Sequence, residues 1–160
     1  MLQETLNKIK SPDKDIQAKA QLRLDSLTKP LGSLGRLEEI AKQVVGITGR
    51  LHPSVDKKAI VIMCADNGVV EEGVSSCPKS VTAAVTQNFM KGITGVNVLS
   101  RHAGADIVVV DIGVDADIEA EGILKRKIRR GTGNIAKGPA MSVDEAIKAI
   151  ETGIEVVDEL

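Results

Sequence analysis

The sequence predicts an α/β protein: a partial parallel sheet carrying helices, preceded by an N-terminal helical segment. Three observations support this. Residues 59–65 (AIVIMCA) and 106–112 (DIVVVDI) are short apolar runs rich in β-branched residues, the pattern of strands buried on both faces of a parallel sheet. The stretch between them has helical spacing, so strand, helices and strand form a right-handed βαβ unit. The first 50 residues contain three helical patterns and no strand.

In chain order, Leu2, Leu6 and Ile9 predict a short helix over 2–10, interrupted by Ser11-Pro12-Asp13. Ser11 or Asp13 caps a second helix, 13–27, with Ile16, Ala20, Leu24 and Leu27 on one stripe. Pro30 closes it, Ser33 is placed to cap the next, and a third helix over 34–48 has Leu37, Ile40, Ala41, Val44 and Val45 as its apolar face, with Gly49 as its stop. Residues 51–57 read as a polar linker, which divides the chain into a helical segment, 1–50, and a sheet segment, 58–160. After the first strand, helices are expected over 79–91 and 95–102, then the second strand. Residues 117–130 alternate weakly, carry a basic cluster and read as extended and partly exposed. Gly131-Thr132-Gly133-Asn134 is a turn. Ser142 and Glu145 form a capping box for a last helix, 143–160.

Composition narrows the function classes. A formal charge of -1 with interspersed signs gives no footprint for nucleic acid or an anionic membrane surface. A single Phe, with no Tyr or Trp, argues against a base-stacking nucleic-acid platform. Cys64 and Cys77 form no CxxC pair and no disulfide framework, so reduced thiols in a cytoplasmic protein are the simplest reading. His52 and His102 lie far from both cysteines and in no ligand spacing, so no metal is expected. No apolar run approaches the ~20 residues that span a bilayer, and the N-terminus has no apolar signal core.

The chemistry concentrates after the first strand. The strand stops at Asp66-Asn67-Gly68, and a loop with Glu71, Glu72, Ser75, Ser76, Cys77 and Pro78 leads into a helix with Val81, Val85 and Phe89 on one face. Ligands in open α/β sheets bind at the carboxyl ends of strands. A capping Asp in an ordinary βα turn explains the same residues, and both readings stand at this level. Glu71 and Glu72 read as solvated loop charge or as a base. The Gly131–Asn134 turn, beside Arg129 and Arg130, reads as a plain turn or as a phosphate cradle. Cys77 has no His in its motif to make it a nucleophile.

Four motifs resemble one family in order and spacing. Leu27-Thr28-Lys29-Pro30-Leu31-Gly32-Ser33-Leu34-Gly35-Arg36-Leu37-Glu38 is similar to a KPxGSLGRLE signature. Met63 to Val69 resembles a "CADHGV" strand end, and Gly73 to Thr82 the loop and helix start that follow it. Gly131 to Ser142 resembles "RGxGNIAxGPAMS". The family is nicotinate-nucleotide–dimethylbenzimidazole phosphoribosyltransferase. The resemblance implies transfer of phosphoribosyl from nicotinate mononucleotide to 5,6-dimethylbenzimidazole, giving α-ribazole 5′-phosphate for cobalamin. It also implies a Rossmann-like parallel sheet, a small helical domain, a homodimer, and no metal or organic cofactor. Asp66, Asn67, Cys77, Pro78, Ser80, Val81 and Val85 fall on the segment that in the family lines the benzimidazole site.

The departures from the pattern carry expectations too. Asn67 stands where the family has His, and Cys77 and Val85 stand where it has polar residues facing the base. The family's "GExGxxNTT" phosphate loop and its glutamate base, far toward the C-terminus, have no match in these 160 residues. The chain alone is therefore expected to be inactive, with no catalytic residue of its own. The alternative is a truncated or split, non-catalytic half that binds a benzimidazole base or assembles with a C-terminal half. A generic nucleotide-binding reading fails because neither GxGxxG nor a Walker A loop occurs.

Overall fold

The computed structural model describes residues 1–160, which pack as two compact units, 3–56 and 57–160, the latter joined by residues 1–2. In the helical unit, α1 spans Leu2–Lys8 and buries no side chain. Helix α2, Lys14–Asp25, is capped by Asp13, whose carboxylate accepts from the N–H groups of Asp15 and Ile16 at 2.9 and 3.1 Å. Helix α3, Arg36–Thr48, packs on α2, Ala20 of α2 and Val45 of α3 are buried, and the Asp13 N–H donates to the Gly46 carbonyl at 2.9 Å.

One expectation fails in this unit. Ser33 does not cap α3, whose N-cap is Gly35 with no side-chain bond. The work falls to Glu38, buried on the first turn, which accepts from the Leu34 N–H at 3.1 Å and the Lys29 ammonium at 2.8 Å. These two donors hold the Glu38 carboxyl below its ordinary range, Lys29 first. The apolar face of α3 is also not a sealed core. Leu37, Ile40, Ala41 and Val44 line an open groove with Leu51, Pro53 and Val55, and only Val45 is fully buried.

The sheet unit has three parallel strands in the order β1-β2-β3: Ala59–Ala65, Asp106–Gly113 and Leu124–Lys125. Register runs from Ala59 opposite Asp106 to Cys64 opposite Asp111, then shifts so that Ala65 faces Gly113. That irregularity falls at the strand end where the candidate site begins. Helices α4, Ser80–Met90, and α5, Gly95–Ala103, pack on β2. Helix α6, Val143–Asp158, opens with the expected capping box of Ser142 and Glu145. The core comprises Cys64, Val109, Val114, Ile118 and Ile123. No helix is long and apolar enough to cross a membrane.

Burial here differs from the sequence reading in two places. Strand β1 is not buried on both faces: it lies at the sheet edge and only Cys64 is fully covered. Residues 117–130 are less exposed than expected, for Ile118 and Ile123 enter the core and Leu124–Lys125 forms β3. The basic cluster explains part of this. Lys127 turns inward to the buried Asp111 carboxylate at 2.9 Å and also donates to the Val114 and Ala116 carbonyls. Asp111 in turn accepts from the Val114 N–H at 3.0 Å, so a paired buried charge holds the chain just past β2.

Candidate functional site

The carboxyl end of β1 opens into a cleft of about 550 Å³ between the strand end, its loop and α4. Its wall on α4 is apolar, because Val81, Val85 and Phe89 recur at four-residue spacing on one helix face. Val69, Val70 and Val74 add apolar surface from the loop. Residues 68–72 of that loop form a 3-10 turn, closed by Gly73 in the left-handed region at φ 72°.

The polar groups of the lining are few and mostly engaged. Thr86 is buried and its hydroxyl donates to the Thr82 carbonyl at 2.7 Å. Cys64 is buried, and desolvation pushes its thiol pKa up. Cys77 is exposed at the mouth, in a turn where Ser75 Oγ donates to the Cys77 carbonyl at 3.0 Å and accepts from its N–H at 3.2 Å. Lys79 pairs with Asp115 at 3.7 Å. Asp66 is 5% exposed, and its Oδ2 accepts from the Asp115 N–H at 2.8 Å.

Asp66, Asn67, Cys77, Pro78, Val81 and Val85 thus come together around one cleft. Ser80 does not: it is exposed on the first turn of α4, outside the lining. Reading the sequence missed the buried Thr86 floor, the loop valines and Lys79. Val74, an apolar residue within a polar loop, was the available signal.

The Gly131–Asn134 turn is a clasp rather than a cradle. The N–H of Gly131 donates to the Gly113 carbonyl at 3.0 Å, that of Thr132 to Asp66 at 3.0 Å and that of Gly133 to Ala140 at 2.7 Å. With all three engaged, the turn has no free N–H array for a phosphate. Instead it grips the strand end: Thr132 Oγ1 accepts from the Gly68 N–H at 3.1 Å, and a Cβ on Gly68 would fall 2.6 Å from the Thr132 carbonyl oxygen. Gly131 itself sits at φ 62°, a conformation that favours glycine.

Glu71 and Glu72 belong to the same clasp. Asn134 donates to Glu72 at 2.6 Å, and Lys137 pairs with Glu71 and Glu72 at 3.3 and 3.2 Å. Lys137 and Asn134 lower the Glu71 pKa, while Glu72 and Glu71 raise that of Lys137. A carboxylate stabilised in its charged form is a weak proton acceptor, which argues against Glu71 as a base. No group of three or more His, Cys, Asp or Glu side chains is arranged to hold a metal ion.

Comparison with known proteins places this geometry in a family. A family model described as Phosphoribosyltransferase matches residues 9–160. A nicotinate-nucleotide–dimethylbenzimidazole phosphoribosyltransferase from Ruminiclostridium cellulolyticum is 71% identical over 158 residues, 99% of this chain and 45% of the relative. The protein of that name from Acetivibrio thermocellus is 64% identical over 160 residues, 100% of this chain and 46% of the relative. Among solved structures, the enzyme of that name from Thermus thermophilus superposes with a TM-score of 0.83 at 42% identity, covering 89% of this chain and 44% of that one. The chain therefore spans about half the length of the curated relatives it matches. On the matched motifs, the strand-end cleft and these relatives together, the chain belongs to the nicotinate-nucleotide–dimethylbenzimidazole phosphoribosyltransferase family.

Proposed function

We propose that this chain carries the benzimidazole site of an enzyme that moves phosphoribosyl from nicotinate mononucleotide to 5,6-dimethylbenzimidazole. The reaction releases nicotinate and forms α-ribazole 5′-phosphate, the lower-ligand nucleotide of cobalamin. The observation that carries this reading is the cleft: an apolar wall of Val81, Val85 and Phe89 facing the polar strand end of Asp66 and Asn67. A dimethylated aromatic ring has the complementary character, an apolar edge and a polar azole edge. Asp66, Asn67, Cys77, Pro78, Val81 and Val85 are its binding residues, with Ser80 beside them. Residues 1–50 form a three-helix segment of the small domain.

The test is calorimetric titration of 5,6-dimethylbenzimidazole into the chain and into Val85→Glu. A carboxylate set against the ring loses hydration without gaining a partner, so the variant should not bind. Equal binding by both proteins places the base elsewhere. With Glu71 and Glu72 both paired to Lys137, the chain alone should not turn over nicotinate mononucleotide; measured turnover would contradict this.

A second reading rests on the outer edge of β1, which no strand covers. In it the chain is a non-catalytic half that binds the base or assembles with a C-terminal-half polypeptide. Restored transfer on mixing the two polypeptides would support it, and an unchanged rate would count against it. We also propose a cytoplasmic homodimer, since the thiols are free and an open sheet edge invites pairing. A compact monomer in sedimentation at micromolar concentration would contradict the dimer, and fractionation with extracellular material would contradict the compartment.

A further inference from the structure

The loop wall of the cleft is held by very little. Val69, Val70 and Val74 line the cleft, yet every residue from Glu71 to Pro78 is exposed, and Val69 and Val70 are only half-buried. Packing alone therefore fixes this wall weakly. Its polar links are also few. Across Val69–Cys77, every hydrogen bond or ion pair that reaches beyond the loop and its flanks ends on Asn134 or Lys137. Lys137 Nζ stands 3.3 Å from Glu71 and 3.2 Å from Glu72, and Asn134 Nδ2 donates to Glu72 at 2.6 Å and to Glu71 at 3.4 Å.

These donors are set in advance. The Asn134 side-chain oxygen accepts from the Ala136 N–H at 3.0 Å, which leaves its amide NH₂ for the glutamates. The Asn134 carbonyl accepts from the Lys137 and Gly138 N–H groups at 2.9 and 3.1 Å, and that turn places Lys137 beside it. One exposed ion pair contributes little. Here a single ammonium serves two adjacent carboxylates, so removing it breaks two pairs and leaves two like charges side by side. Both glutamates sit on the 3-10 turn that carries Val69 and Val70, so a change at Lys137 reaches the lining directly.

We propose that Lys137, aided by Asn134, is an electrostatic latch that holds Val69, Val70 and Val74 in place as the loop wall of the cleft, and so acts as a positioning residue for the base. The part played in binding rests on the cleft being the base site; the latch itself does not. Its release frees the loop between two fixed points, Gly68, gripped by Thr132, and Pro78, whose carbonyl accepts from the Val81 N–H at the head of α4. A ring that requires the closed wall loses apparent affinity in proportion to the closed fraction.

Methyl NMR of the ligand-free chain tests the latch, and calorimetric titration of 5,6-dimethylbenzimidazole tests its consequence. Raising salt from about 0.01 M to about 1 M shortens the screening length from roughly 30 Å to roughly 3 Å. In the chain this should lower the order parameters of the Val69, Val70 and Val74 methyls and leave those of Val81 and Val85 on α4 unchanged. Lys137→Met should show the loosened loop at low salt with no further change at high salt, and Lys137→Arg should behave as the chain does. Base affinity should fall about threefold to tenfold in Lys137→Met, the scale of two exposed pairs lost together, and recover in Lys137→Arg. The salt series on the unmodified chain needs no variant to fold. Loop methyls unmoved by salt there, a salt response that persists in Lys137→Met, or equal loosening of the α4 methyls would overturn the latch. Loosened loop methyls with unchanged base affinity would overturn the positioning role alone. Failure of the chain to bind the base would overturn the cleft reading and the positioning role with it, while the ligand-free methyls still decide the latch.

Discussion

Gly68 is the point where the strand-end loop and the Gly131–Asn134 clasp meet, and substituting it tests whether that contact shapes the cleft. A Cβ at Gly68 would lie 2.6 Å from the Thr132 carbonyl oxygen, 2.6 Å from the Gly133 carbonyl carbon and 2.7 Å from the Asn134 nitrogen. All three are backbone atoms, so no side chain can swing aside. Gly68→Ala must separate the loop from the clasp. Overpacking of this kind costs about 1–3 kcal/mol. Losing the bond from the Gly68 N–H to Thr132 Oγ1 adds about 1 kcal/mol. A loss of about 2–4 kcal/mol in a domain of this size lowers Tm by roughly 5–15 °C. The matched control is Gly138→Ala, where nothing lies within 4 Å of the added methyl and φ is not positive. It should be neutral or stabilise by about 0.4–1 kcal/mol through the unfolded chain. Thermal unfolding followed by circular dichroism reads both. Gly68→Ala melting with the wild type would refute the clasp.

Three further outcomes follow from the same geometry. Lys127→Met strands the buried Asp111 carboxylate and should destabilise the sheet unit by about 3–5 kcal/mol in urea unfolding, and adding Asp111→Asn should recover part of the loss; a Lys127→Met variant within about 1 kcal/mol of wild type, the worth of an exposed pair, would contradict the pairing. Glu38 has a lowered pKa in the fold, so its contribution is present above the ordinary carboxylate value of 4.5 and lost as pH falls below it through the lowered value. Stability of Glu38→Gln should therefore fall less steeply than wild type across that acid window, and parallel curves would refute the assignment. Cys77 is exposed while burial raises the Cys64 pKa, so maleimide should label one thiol in the folded chain and two in denaturant, with mass spectrometry placing the first label on Cys77.

Much of the fold was legible because its signals are local. The two main strands are apolar runs bounded by charge or glycine, and Ser142 with Glu145, or Asp13 alone, marks a helix start by a bond made within three residues. What was illegible depends on distant partners. A strand's own residues do not encode whether neighbours cover it, so β1 read as buried on both faces and is mostly uncovered at the sheet edge. Neither Glu38 nor Lys127 stands out in the sequence, because their partners, Lys29 and Asp111, become neighbours only in the fold. The Gly131–Asn134 turn looks the same in sequence whether it grips a phosphate or a strand end. The carbonyls of Gly113, Asp66 and Ala140 decide the matter, since they take its N–H groups. Within the site, the valines on α4 followed from helical spacing, whereas Ser80, between Lys79 and Val81 in sequence, lies outside the lining.

The central claim is that an aromatic base binds between the end of β1 and the face of α4. Methyl-resolved NMR during titration with 5,6-dimethylbenzimidazole measures this most directly, because five valines line the cleft and report on a bound ring. The account predicts saturable shifts confined to the methyls of Val69, Val70, Val74, Val81 and Val85, with those of Val44 and Val55 in the helical unit unmoved. Saturable shifts centred on Val44 and Val55, or none at all with the base in excess, would contradict it.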